Sequence, residues 1–241
     1  MRPEVRQKIQ IVLALAIAMA AIRTGYILYE RHASNARETK PQTSAPPLNP
    51  DYYVTPKKLY PFDLKSAREL TKQPVWVKEG YRYLYYPYTA ATHRTDFEHE
   101  AGMLLPIQKL DIKDVVLDTA PNSGGQKQVM ALFAENGKTY AFQIGYLKDG
   151  DYRIYSDEML YVQDPRELYK HWPADVWQSV EQHQVKPGMN ELQADFAIGV
   201  GRPDRQADPA WKTVHYPNGG NPVTITYHEG KATEIKSDKS S

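Results

Sequence analysis

The longest apolar run lies near the start of the chain. From Ile9 to Ile22 only Gln10 is polar; Arg23 and Thr24 break the run, and Gly25-Tyr26-Ile27-Leu28-Tyr29 resumes it. A stretch over 9–29 is close to the ~20 residues that cross a hydrocarbon layer. It predicts one transmembrane anchor behind a basic flank over 1–8, with Arg2, Arg6 and Lys8, and puts Tyr26 and Tyr29 at headgroup level. Ala18-Met19-Ala20 also fits the small-x-small rule of a cleaved signal peptide, but apolar residues continue past it, which favours an uncleaved anchor. Both readings export the remainder. The expectation is a single-pass membrane protein with its N-terminus cytoplasmic and its bulk extracytoplasmic, periplasmic in a cell with two membranes. Residues 30–50 read as a flexible linker, because Pro41, Pro46, Pro47 and Pro50 stand among polar residues with no apolar period.

Beyond the linker the period becomes two. Pro74 to Lys78 and Tyr81 to Tyr86, the latter stopped by Pro87, read as strands, as do Gln108 to Leu117, Gln128 to Glu135 and Thr139 to Leu147. Asn136-Gly137 and Asp149-Gly150 accept left-handed backbone at both positions and predict hairpins, the second leading into Asp151 to Ile154. Leu160-Tyr161-Val162 adds a short strand, and Asp118 to Gln126 a loop. Short strands at this spacing predict a Tyr-rich antiparallel sheet or small barrel over 51–163.

A period near 3.6 follows. Asp164-Pro165 is an N-cap with a proline at the first helical position, and Val176, Trp177 and Val180 mark the buried side of a helix opened by Pro173. Asn190 caps a helix over Glu191 to Ile198, with Gln193 placed to close a capping box; Gly199 or Gly201 ends it before Pro203. Strands over Trp211 to Tyr216, Val223 to Tyr227 and Ala232 to Ile235 then alternate with Asn/Gly-rich turns. The fold class expected is α+β: a single N-terminal membrane helix, a linker, a β-rich domain over 51–163, helices on a three-stranded antiparallel meander over 164–236, and a tail over 237–241.

Composition narrows the functions. The 241 residues leave about 190 for folded structure, enough for one large domain or two small ones. Thirty basic and 29 acidic residues make no electrostatic case for nucleic acid. Cysteine is absent, which excludes disulfides, thiol catalysis, Cys-ligated zinc and a lipid-modified N-terminal cysteine. His93, Asp96, Glu98, His99 and Glu100 are the best catalytic or metal candidates, but they lack the four-residue His spacing that puts two imidazoles on one helical face. No catalytic residue, metal site or cofactor is assigned. Tyr81, Tyr83, Tyr85, Tyr86 and Tyr88 either pack one face of the sheet or offer a ligand surface, with apolar rings and polar tips.

Gly188-Met189-Asn190, Gly201-Arg202-Pro203, Trp211 with Tyr216, and Gly230-Lys231 before Ile235 occur in an order that resembles the BamE-like (SmpA/OmlA) family of small envelope proteins. The resemblance covers Lys186 to Lys236, about a fifth of the chain. It implies helices laid on a three-stranded antiparallel sheet and a use in protein binding. The chain departs from the lipoprotein members of that family in having no cysteine, and Asn190 stands where Ser or Thr is usual. The motif residues answer turn geometry and core filling and form no catalytic set.

These readings combine into an expected non-enzymatic, membrane-tethered protein-binding or scaffold protein of the cell envelope, with an envelope protein as partner. Tyr83, Tyr85 and Trp211 are its candidate partner-binding residues. The alternatives are a cell-wall glycan or small-ligand sensor stacking sugars on the Tyr-rich face, and, behind it, a metal-dependent hydrolase built on His93 to Glu100.

Overall fold

Local rules set most hairpins and caps. A computed structural model describes residues 17–31, 48–121, 123–205, 208 and 210–237, and the chain divides into two units, 1–49 and 50–241. In the first unit residues 17–31 form one helix, α1.

The second unit contains β1 (Val75–Val77), β2 (Leu84–Thr89), β3 (Arg94–Thr95), β4 (Gly102–Met103), β5 (Lys109–Leu110), β6 (Ile112–Asp118), β7 (Lys127–Glu135), β8 (Lys138–Lys148), β9 (Asp151–Ile154) and β10 (Leu160–Tyr161). After these come β11 (Arg202–Pro203), β12 (Trp211–Tyr216), β13 (Val223–His228) and β14 (Lys231–Ser237). Its helices are short: α2 (Leu64–Ala67), α3 (Ser156–Met159), α4 (Pro165–Leu168), α5 (Ala174–Glu181) and α6 (Glu191–Ile198).

The strands make three antiparallel sheets. The largest runs β3-β2-β8-β7-β6, with β4 beside β2 and β9 beside β8. Asn136 and Gly137, at φ 51° and 76°, turn β7 into β8; Asp149 and Gly150, at φ 53° and 91°, turn β8 into β9. Val129, Ala131 and Phe133 of β7 join a core with Phe142 and Ile144, whereas Met130 and Leu132 enter a smaller cluster with Tyr88 and Ala141. Burial on both faces explains why β7 reads as a continuous apolar run. The C-terminal sheet runs β11-β12-β13-β14; its core takes the Val176, Trp177 and Val180 side of α5 together with Ala194, Phe196 and Ala197 of α6. Asn190 accepts from the Gln193 N–H and the Gln193 side chain answers the Asn190 N–H, each at 2.9 Å, which fixes the start of α6.

The third sheet, β10-β1-β5, joins these two cores. Val75 and Val77 enter the core under the large sheet, while Trp76 packs against the C-terminal core. In β10, Leu160 goes to the first core and Tyr161 to the second. Because successive strand residues face opposite sides, two- and three-residue strands suffice to give each core one face of a shared sheet.

Three expectations are corrected. The arrangement is mostly β, with three antiparallel sheets and few helices. Among the described residues the large sheet is an open array whose path ends at β3 and β6, the sheet of the two forms expected; the C-terminal meander gains a fourth strand because Arg202 and Pro203 pair with His215 and Val214. Among the described residues no helix is long and apolar enough to cross a membrane. Within the described residues α1 carries Arg23, Glu30 and Arg31. Residues 1–16, which include the first part of the anchor expected over 9–29, lie outside the described residues, as do most of the linker (32–47) and most of the tail (238–241). The single-pass, signal-anchor assignment is corrected accordingly: the described residues hold no span that supports it.

Candidate binding cleft

Where β1 meets α5, the two cores leave a cleft of about 390 Å³. Its apolar lining is Trp76, Leu105, Pro106, Ile107, Trp177 and Val180, and its polar rim is Gln108, Lys109, Asp164, Arg166, Glu181 and His183. That combination, an apolar floor with a few placed polar groups, is the ordinary construction of a binding pocket.

The 104–108 loop forms one wall and is held on several sides. The Leu104 N–H donates to the Tyr83 carbonyl at 2.9 Å, the Ile107 N–H to the Val77 carbonyl at 3.0 Å, and the Leu105 N–H to Gln108 Oε1 at 2.8 Å. Pro106 lies so close to Gly80 that a Cβ on Gly80 would sit 2.0 Å from the proline nitrogen. Ile107 pays for this course with φ 56°, a left-handed conformation that costs a β-branched residue ~1–2 kcal/mol. Strain of this kind persists where surrounding structure imposes it, and it often marks binding sites.

Cations cover the two tryptophans. Lys109 Nζ lies 5.7 Å from the centre of the Trp76 ring, and the Arg166 guanidinium carbon 5.7 Å from that of Trp177. Arg166 also pairs with Glu181, and its backbone N–H donates to the capping carboxylate of Asp164 at 2.8 Å. His183 Nδ1 lies 3.0 Å from the Ala197 carbonyl, so it is the protonated nitrogen that donates there; in the neutral ring Nε2 is left as an acceptor. The lining holds no hydroxyl or thiol nucleophile.

The residues singled out from sequence do not converge on this cleft. Tyr83 is half-buried against the core of the large sheet, and burial pushes its hydroxyl up to about 12. Tyr85 meets Phe133 and Tyr140 edge-on at 5.5 and 5.1 Å, and burial raises its hydroxyl too. Trp211, 45% exposed, stacks on His228 with ring centres 4.2 Å apart at the end of the C-terminal sheet.

The motif residues have local jobs. Gly188 and Gly230 take φ 89° and 75°, and Met189 is buried with its sulfur accepting from the Lys186 N–H. A Cβ on Gly201 would come within 2.4 Å of Val214 and 2.9 Å of Tyr216; Pro203 pairs with Val214. The Tyr216 hydroxyl is buried 2.8 Å from that of Tyr227. His99 Nδ1 approaches the Asp96 carboxylate to 2.9 Å in an exposed loop, and among the described residues no group of three or more His, Cys, Asp or Glu could hold a metal ion.

Sequence reasoning missed a second polar centre. The buried carboxylate of Asp51 accepts from Trp172 Nε1 at 2.7 Å and Asn190 Nδ2 at 2.9 Å, and lies 2.6 Å from His171 Nε2. No local pattern signals this set, because more than 100 residues separate Asp51 from its partners. Trp76, Ile107 and Trp177 were likewise hidden as a group. The only signal available was a Trp at the centre of a three-residue strand, whose alternate face needs a second core to cover it.

Compared with known proteins, the chain matches no family model, and neither a curated protein nor a solved structure is significantly similar to it.

Proposed function

We propose that this chain is a non-catalytic protein-binding protein, and that the cleft between Trp76 and Trp177 seats a bulky apolar side chain from an extended segment of a partner protein. The observation that carries the reading is the pairing of an apolar floor with a rim whose charges are already engaged. Lys109 lies over Trp76, and Arg166 over Trp177 and against Glu181, so an incoming apolar group need not leave them unpaired. The strained, multiply bonded 104–108 loop supports a preformed wall, which lowers the ordering cost of binding.

Membership of residues 186–236 in the BamE-like family is part of the same proposal. It is supported by the helix start at Asn190, the close approach at Gly201 and the antiparallel strands that follow. Protein binding is the use that resemblance implies. The sugar-stacking alternative has less geometric support, since Tyr83 and Tyr85 already spend their rings on internal contacts.

The test is selection of a displayed random-peptide library on the full chain. The expected enriched motif contains one Trp, Phe or Leu. Affinity for the selected peptide should fall at least about tenfold in Leu105→Asp, which alters an exposed lip of the cleft, and in Trp76→Ala. Selected peptides that bind Leu105→Asp as well as the native protein, or a library that yields no binders, would overturn the reading.

A further inference from the structure

The C-terminal sheet ends on an edge whose charges select one way of pairing with itself. β14 has β13 on one side. On its other side the Lys186–Asn190 turn covers only Ala232: the Gly188 N–H donates to the Ala232 carbonyl and the Ala232 N–H to the Met189 carbonyl, each at 2.8 Å. From Thr233 to Ser237, no backbone bond to that outer side is made among the described residues. Thr233 is a bulge, since Thr226 faces Glu234 and Tyr227 faces Ala232, so the regular edge begins at Glu234. Ile235 turns its side chain to the C-terminal core, which places Glu234 and Lys236 on the opposite face, where they pair at 3.0 Å.

We propose that β14 is a self-association edge, joining antiparallel to β14 of a second copy about a two-fold axis at Ile235. Only residues with the same hydrogen-bonding direction can face each other across an antiparallel pair. Centring on Ser237 would face Lys236 with residue 238, beyond the described strand, so the symmetric registers within it centre on Glu234, Ile235 or Lys236. The first opposes two glutamates and overlaps the covered position at Ala232. The third opposes two lysines. Centring on Ile235 sets Glu234 of each copy directly opposite Lys236 of the other, with isoleucine beside isoleucine, and like charges are nowhere opposed. A strand of this length gives a small contact, so association is weak, with Kd on the order of 10–100 µM.

Sedimentation velocity on the full chain, from about 10 µM to about 1 mM, tests this. The expected result is a monomer at the low end that shifts to dimer with concentration. Glu234→Lys or Lys236→Glu alone should weaken association at least tenfold, and the double exchange should restore it by rebuilding the crossed pairs in reverse. Thermal melting of the same variants separates loss of association from loss of folding. A monomer across the range, single variants that associate like the native chain, or a folded double exchange that stays monomeric would each overturn the proposal.

Discussion

Asp195 offers the sharpest test of the energetics. It lies on α6 with Oδ1 buried and without a hydrogen-bond partner. Burial, and then the charge of Glu191 one turn earlier, raise its carboxyl from 3.8 to about 7; the Tyr216 hydroxyl, Lys212 and the Gly201 N–H oppose the shift and are outweighed. The folded state therefore keeps a proton that the unfolded chain releases. This contribution is fully present below pH 3.8 and is lost as pH rises through about 7. At ~1.4 kcal/mol per pH unit the whole loss comes to ~4 kcal/mol. Asp195→Asn removes the charge but puts an amide where no acceptor waits, which costs ~1–2 kcal/mol. The variant should be more stable than the native chain by ~2–3 kcal/mol at pH 8, or ~4–12 °C in Tm, and about equal to it at pH 5, where ~1.6 kcal/mol of the native contribution has already gone and offsets the amide's cost. Urea unfolding followed by tryptophan fluorescence across that range gives the difference directly. A difference that stays constant to within about 0.5 kcal/mol between pH 5 and 8 would refute the argument.

Two further outcomes follow from packing. Gly80→Ala drives a methyl into the Pro106 nitrogen, and since both atoms belong to backbone or ring, thermal melting should show a loss of ~3 kcal/mol or more. Asp51→Ala strips one acceptor from His171, Trp172 and Asn190 together, so denaturation should show a loss of ~2–4 kcal/mol. Adding Trp172→Phe to that variant should cost much less than it does in the native chain, and additive losses would dissolve the network.

Elements governed by neighbours in sequence were legible. Asn136-Gly137 and Asp149-Gly150 turn where their permissive φ angles allow, Asp164 and Asn190 cap the helices that follow them, and α6 and β12 have the limits expected from pattern. Tyr81 to Tyr86 shows where local reading stops. Tyr81 takes φ 58° in a turn, its N–H bonded to the Leu104 carbonyl at 2.7 Å, and the strand instead spans Leu84 to Thr89. It continues through Pro87, whose carbonyl still accepts from the Asp96 N–H at 2.9 Å. The span expected over 9–29 finds no support among the described residues, where no helix is long and apolar enough to cross a membrane, and its first part lies outside them. The cleft was illegible for another reason: its walls come from β1, a loop 30 residues on and a helix 70 residues beyond that, and no periodicity links them.

The small sheet β10-β1-β5 also sets an order of events during synthesis. Trp76 and Ile107 leave the ribosome long before α5, α6 and the C-terminal strands that cover them, and Tyr161 follows shortly ahead of α5. Domains generally fold as they emerge, yet here the earlier-made portion completes only the face built on Val75, Val77 and Leu160. Until the last strands are released, an aromatic surface is left uncovered on the nascent chain, so chaperone demand should be concentrated late in translation and a chain that stops early should aggregate through that surface.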